Sequence, residues 1–296
     1  MSFLDARAAL AGKVALIAGG GGGLGRAGAL DLAAAGTSLV LADTDGDALG
    51  RTATEARTLG AEVLDQRVDV RDEEGLEALF VAAEQRFGRL DVLVNVVGGT
   101  FRAAFTDVSA KGRDALVRTN FLWVVDAIQR AVPRLEAGGR GGSIITITSI
   151  EGHRAAPGYA IYAAMKAALA HLTRTLAVEL GAKGIRVNCI APDFVPTAGL
   201  AAVAGRAGSA GQRAAAAGDG ADPGDWLTIP LRRKGEVADV GNAVLFLASE
   251  LSSYVTGTTL HPDGGALAGS GWMDWPDDGF TARPPAWVLD RLEQPE

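Results

Sequence analysis

Cysteine is almost absent. Of 296 residues only Cys189 carries a thiol, so no internal disulfide can form and a reducing compartment, the cytoplasm, is expected. Histidine is nearly as scarce: His153, His171 and His261 lack the spacing of a ligand set, and no metal is expected. Lys and Arg number 28 against 35 Asp and Glu, a net charge of −7 with no basic run, which argues against nucleic acid and anionic membranes as partners. Unbroken apolar stretches of the ~18 residues that a membrane span needs are missing. So is a basic start followed by an apolar core at the N-terminus, and secretion is not expected. What the chain has in quantity is apolar side chains, 48%, and glycine, 40 residues. That is ample for a sizeable core.

Five of those glycines stand together in "AGGGGGLGR", residues 18–26. A linker would have polar flanks. Here a short apolar run, "VALIA", comes before and a helix-forming stretch, "LGRAGALDL", comes after. A glycine turn between a buried strand and a helix is a place for a phosphate. The same alternation continues along the chain. Apolar runs at 14–18, 38–42, 62–68, 90–94, 143–148, 185–190 and about 258–261 are separated by helical patterns at 24–35, 47–59, 73–87, 111–135, 159–180 and 237–249. Repeated strand–helix units require parallel strands covered on both faces. The fold expected is therefore α/β, a doubly wound sheet of about seven parallel strands. One domain over 1–265 is expected, with a lid-like Ala/Gly-rich insertion near 198–225 and an extension over 266–296. Because the extension holds Trp272, Trp275 and Trp287, it is expected to dock on its own subunit or a neighbour.

Two G-x-G-x-x-G registers fit the run, Gly20-Gly22-Gly25 and Gly23-Gly25-Gly28. An acid lies at about the 20-residue offset at which a carboxylate meets the adenosine ribose: Asp43, ending the second apolar run. Its charge accepts hydrogen bonds from ribose hydroxyls and repels a 2′-phosphate, so NAD is expected over NADP. A helix N-cap at Asp43 or Thr44 is the plainer alternative.

Tyr162 and Lys166 stand four apart on a predicted helix and share a face, whereas Tyr159 is seven residues from the lysine. An ammonium beside a phenol favours phenolate and tunes it for proton transfer. Together with the glycine turn, this chain resembles the short-chain dehydrogenase/reductase family up to Gly265. The resemblance places that family's glycine motif on Ala18-Gly19-Gly20-Gly21-Gly22-Gly23-Leu24-Gly25, with Gly19, Gly23 and Gly25 as positional glycines. It implies cofactor contacts from Leu24, Asp43, Asp69, Val70, Asn95, Gly98, Tyr162, Lys166, Pro192, Val195 and Thr197. It also implies catalytic roles: Tyr162 as general acid/base, Lys166 lowering its pKa, Ser149 polarising the substrate oxygen, and Asn120 kinking its helix and holding a relay water. A homotetramer is implied too. Three departures stand out: Ala18 for Thr, Val96-Val97 for Asn-Ala, and Asp193 for Gly after Pro192.

A Ser–His–Asp hydrolase is excluded, because Ser209 in "AGSAG" lacks the strand–helix elbow. A non-catalytic NAD sensor would be expected to lack Tyr162, Lys166 or Ser149, and all are present. The substrate expected is a secondary alcohol or ketone on an apolar, cyclic or steroid-like scaffold, with Phe101, Ile150, Phe194 and Trp226 near the pocket. Reduction of a 3-oxoacyl thioester is the alternative, which Glu151 and Asp193 fit poorly.

Overall fold

The structure, a computed structural model, describes residues 3–197 and 227–292. The expected lid at 198–225 and Trp226 lie outside the described residues. After a short helix α1 (Phe3–Ala8), seven strands form one parallel sheet: β1 (Val14–Ala18), β2 (Ser38–Asp43), β3 (Val63–Arg67), β4 (Val92–Asn95), β5 (Gly142–Ile147), β6 (Ile185–Ile190) and β7 (Thr259–Leu260). Their spatial order is β3-β2-β1-β4-β5-β6-β7. The direction of winding reverses between β1 and β4, and ligands of open α/β sheets bind at the carboxyl ends of strands at such a point.

Strand chemistry follows position in the sheet. All five residues of β1 and all four of β4 are buried, and these central strands are continuously apolar apart from Asn95. Edge strand β3, "VLDQR", has no fully buried residue and tolerates Asp, Gln and Arg, which makes it shorter than the apolar run at 62–68 suggests. The helices are α2 (Gly23–Ala34), α3 (Gly46–Thr58), α4 (Glu73–Phe87), α5 (Ala110–Val117), α6 (Trp123–Ala137), α7 (Ala160–Leu180) and α8 (Val237–Ala248). The ends of α4 show how such helices are set: Asp72 accepts from the Gly75 amide at 2.9 Å to start it, and Gly88, at φ +65°, stops it.

The core has one layer on each side of the sheet. One is built around Phe80, Trp123, Leu79 and Ile144, the other around Ile17, Leu32, Leu41 and Val244. The single long helix expected over 111–135 is divided into α5 and α6 by a π-helical segment, Arg118–Leu122.

Beyond Gly265 come α9 (Ala266–Gly269), an antiparallel hairpin of β8 (Met273–Trp275) and β9 (Gly279–Thr281), and α10 (Ala286–Leu292). Here two of the three tryptophans meet. Trp275 and Trp287 form an edge-to-face pair with ring centroids 5.8 Å apart, and Trp287 Nε1 donates to Asp278 at 3.0 Å. Asp274 pairs with Arg232, which ties the hairpin to the preceding chain.

Candidate active site

The turn from β1 into α2 decides which glycines are obligatory. Gly19, at φ +99°, and Gly23, at φ +52°, occupy the left-handed region. Gly25 is required by contact: a Cβ there would lie 1.9 Å from the Gly19 carbonyl oxygen. Leu24 sits between them in the first turn of α2. Asp43 closes β2 beside this turn, and its Oδ2 accepts from the Gly21 amide at 2.9 Å. Its other oxygen accepts from Asp45 N at 3.1 Å. The N-cap of α3 is Asp45, which accepts from Asp47 N and Ala48 N, so neither Asp43 nor Thr44 is the cap.

Other residues expected to meet a cofactor surround the turn unevenly. Thr197 approaches it: its Cγ2 lies 3.1 Å from where a Gly23 Cβ would stand. Val70 and Val195 are buried. Asp69 is engaged by Arg71 through Nε at 2.8 Å and Nη2 at 2.7 Å, and this bonding holds its carboxyl below the usual range. A ligand needing that carboxylate must compete with Arg71, which sequence reading missed.

Asn95, the last residue of β4, donates through Nδ2 to Thr146 Oγ1 at 3.2 Å. Its Oδ1 is buried without a hydrogen-bond partner. Ala18 pairs with it in register across β1 and β4, and its methyl group has no donor to offer. Ala18→Ser is therefore expected to stabilise the fold by about 1 kcal/mol, seen as a higher urea midpoint at unchanged slope. A lower midpoint would mean that the pocket has no room for the added oxygen.

Around the carboxyl end of β5 the expected proton-transfer residues come together. Ser149 follows β5, and its Oγ accepts from the Glu151 amide at 3.2 Å; it is also close enough to Tyr162 to pull the pKa of that phenol down. One turn along α7, Lys166 is buried and donates through Nζ to the Ile147 carbonyl at 3.1 Å. Its ammonium lies 5.6 Å from the centroid of the Tyr162 ring. Burial pulls Lys166 down to about 8. Burial pushes the Tyr162 phenol up, the nearby Ser149 hydroxyl pulls it down, and the charge of Glu151 pushes it up again. The lowering expected from Lys166 is not among these causes; in this state the ammonium serves the Ile147 carbonyl.

Asn120 is fully buried at the centre of the π segment. Its Nδ2 donates to Leu116 O at 2.9 Å and to Gly99 O at 2.8 Å, while its Oδ1 accepts from Gly99 N at 3.2 Å. The widened turn leaves the Leu116 carbonyl to the side chain, a distortion typical of functional positions in helices. Gly98 completes the group: a Cβ there would stand 3.1 Å from both Asn120 Oδ1 and Lys166 Nζ.

The wall of the pocket differs from expectation in one place. Ile150 is fully buried with Ile229 and Ala266, because the tight turn after Ser149 points it inward, and it is core. Phe101 is partly exposed, and Phe194 is partly buried beneath Lys234, whose Nζ lies 5.8 Å from the ring centroid. The Pro192 carbonyl accepts from Ile150 N at 3.1 Å, and Asp193 lies next to Arg154. Asn95, Gly98, Asn120, Ser149, Tyr162 and Lys166 thus line the carboxyl ends of β4 and β5, beside the glycine turn.

Among the described residues, no group of three or more His, Cys, Asp and Glu is arranged to hold a metal ion. No described helix is long and apolar enough to cross a membrane.

The chain is similar to known proteins along most of its length. The family profile described as enoyl-(acyl carrier protein) reductase matches residues 19–266. The chain is 35% identical over 258 residues to 7α-hydroxysteroid dehydrogenase of Escherichia coli, covering 87% of this chain and 95% of that protein. To the 3-oxoacyl-[acyl-carrier-protein] reductase FabG of Thermotoga maritima it is 34% identical over 258 residues, covering 87% and 99%. Carveol dehydrogenase from Mycobacterium avium, solved in complex with NAD, superposes with a TM-score of 0.78 at 32% identity, over 87% of this chain and 98% of that one. A seven-stranded parallel sheet wound in this order and relatives of this closeness along nearly the whole chain lead to one conclusion: the protein belongs to the short-chain dehydrogenase/reductase family of oxidoreductases.

Proposed function

We propose that this protein is an NAD-dependent dehydrogenase that interconverts a secondary alcohol and its ketone on an apolar, cyclic substrate. The observation that carries the reading is the convergence of Tyr162, Ser149, Lys166 and Asn120 on one end of the sheet, next to a glycine turn closed by Asp43.

The residues fit a dinucleotide. Gly19, Gly23 and Gly25 leave bare backbone at the start of α2, where a pyrophosphate is favoured, and Asp43 offers a carboxylate to ribose hydroxyls. Leu24, Asp69, Val70, Asn95, Gly98, Pro192, Val195 and Thr197 supply the remaining contacts in this reading. A dinucleotide held there would supply hydride transfer at the carbinol or carbonyl carbon of the substrate.

The chain's own residues handle the proton. In oxidation the Tyr162 phenolate accepts the proton of the substrate hydroxyl; in reduction the phenol donates it to the forming alkoxide. Ser149 donates a hydrogen bond to that same oxygen, stabilising the charge that develops there. Lys166, released from the Ile147 carbonyl, favours the phenolate and bonds the nicotinamide ribose. Asn120 holds a water that links Lys166 to solvent.

Initial rates with NAD and NADP against cyclic secondary alcohols, steroid alcohols and 3-hydroxyacyl thioesters test the reading. NAD is expected to be preferred by roughly tenfold or more, since Asp43 repels a 2′-phosphate, with cyclic alcohols the better substrates. Equal rates with NADP overturn the role of Asp43. Faster turnover of the thioesters selects the second reading, a 3-oxoacyl thioester reductase, which the Thermotoga relative favours.

A further inference from the structure

The candidate site occupies the carboxyl ends of the strands. At the opposite end of the sheet, the amino ends of β1, β4, β5 and β6 border a cavity of about 500 Å³. Its lining includes four cations, Lys13, Arg89, Arg140 and Arg186, and two carboxylates, Asp91 and Glu250. In a chain with a net charge of −7 this is a local reversal of sign.

Two of the cations are matched by the two acids. Arg89 Nε donates to Asp91 Oδ2 at 2.8 Å, and the same carboxylate accepts from Val14 N at 2.8 Å. Lys13 Nζ donates to Glu250 Oε1 at 2.7 Å. The other two cations are left over. Arg186 Nη1 donates to Ser252 Oγ at 2.8 Å and its Nη2 to the Ser249 carbonyl at 3.2 Å, both uncharged acceptors. Among the described residues, no carboxylate forms an ion pair with Arg186 or Arg140. Arg186 is also partly withdrawn from water, and burial holds its guanidinium below its ordinary value, against the opposing charge of Glu250. A charge desolvated without a counter-charge is costly, and an anion in the cavity removes that cost.

The backbone brings these two arginines together. Gly142 and Ser143 of β5 pair in register with Ile185 and Arg186 of β6. Just ahead of this pairing the two turns cross. Gly141 and Gly184 are at φ +73° and +70°, and a Cβ at Gly141 would lie 2.1 Å from the Gly184 carbonyl oxygen. That part of the lining must be bare backbone, with Arg140 adjoining one glycine and Arg186 two residues past the other. We infer that the cavity is a binding site for a small divalent oxyanion, phosphate either free or as a monoester. Two unmatched guanidinium groups equal its charge, and each presents a planar fork that suits phosphate oxygens. The ligand bridges the starts of β5 and β6, the strands whose far ends lead to Ser149 and Pro192. The inference is independent of the substrate and nucleotide readings.

Calorimetric titration of the full-length protein tests it, with sodium phosphate as the probe and sodium chloride holding the ionic strength constant. Each titration is run with and without saturating NAD, because the glycine turn is itself a place for phosphate. One phosphate per chain that persists under saturating NAD is expected. Arg140→Met and Arg186→Met are each expected to weaken it by about tenfold. Arg186→Met also gives up the bonds to Ser249 and Ser252, so Arg140→Met, at an exposed side chain, is the arm in which folding is not at issue. Glycerol phosphate in place of the free ion identifies the source: tighter binding assigns the cavity to a monoester, weaker binding to inorganic phosphate. A heat of binding no different from that of chloride overturns the inference. So does an affinity unchanged in Arg140→Met, or binding that saturating NAD abolishes, which would place the anion on the glycine turn instead.

Discussion

Tyr162→Phe is expected to lower kcat by about 10²–10⁴-fold, the contribution of a positioned general acid/base, equivalent to roughly 3–5.5 kcal/mol of barrier. The substitution removes one oxygen and keeps the ring over which the Lys166 ammonium sits. Ser149 Oγ retains its bond from the Glu151 amide, so the turn that carries it stays satisfied. Stability should therefore change by no more than about 1 kcal/mol. The nucleotide is expected to bind as before, because the glycine turn and Asp43 are untouched. The comparison also separates an enzyme from a nucleotide sensor, which has no turnover to lose. Steady-state kinetics beside equilibrium NAD binding decide the matter: a variant that keeps more than a tenth of wild-type turnover removes Tyr162 from the proton-transfer step.

Gly25→Ala is the second large effect, and it acts on binding and stability together. The added Cβ would stand 1.9 Å from the Gly19 carbonyl oxygen and 2.8 Å from its carbon. Both atoms are backbone, so no side chain can swing aside; α2 must move away from β1 by about an ångström. A displacement of that size costs on the order of 10²-fold where groups are held for a ligand, and NAD affinity is expected to fall by at least that much. A lower thermal midpoint should accompany it. Gly22→Ala is the control, because nothing lies within 4 Å of a Cβ there and its φ of −153° suits any residue. If Gly25→Ala binds NAD as tightly as Gly22→Ala does, the bare backbone of this turn is not the nucleotide's seat.

Much of the architecture was legible in the chain because continuous apolar runs identify strands buried on both faces. Positions where local signals compete were not. Five consecutive glycines satisfy two spacings, which the pattern alone leaves open; the resemblance singles out Gly19, Gly23 and Gly25, and the φ angles of Gly19 and Gly23 and the contact at Gly25 agree with it. Asp43, Asp45 and Asp47 alternate, so residue type alone cannot tell the helix cap from the carboxylate that meets the glycine turn; the backbone makes Asp45 the cap and Asp43 the acceptor from Gly21. β3 is shorter than its apolar run because an edge strand is only half covered. The break at Asn120 leaves no composition signal and is implied only by the family resemblance, since a π turn depends on a side chain taking over the Leu116 carbonyl. Ile150 reads as a pocket wall from its place after Ser149, yet the tight turn sends it into the core. Arg154 had half a signal, three residues from Glu151, but its other partner, Asp193, is 39 positions away.

The order of strands has a consequence for how the chain acquires its shape. β1 is made early yet lies in the interior of the sheet, hydrogen-bonded to β2 on one side and to β4 on the other. A ribosome must release residue 95 before β1 can be flanked on both edges. Each such closure costs loop entropy before any pairing repays it. β6 then waits for β7, which joins it through only two registered residues after most of the polypeptide has emerged. The half of the sheet that seats the residues proposed for proton transfer is thus the half whose strands are synthesised last.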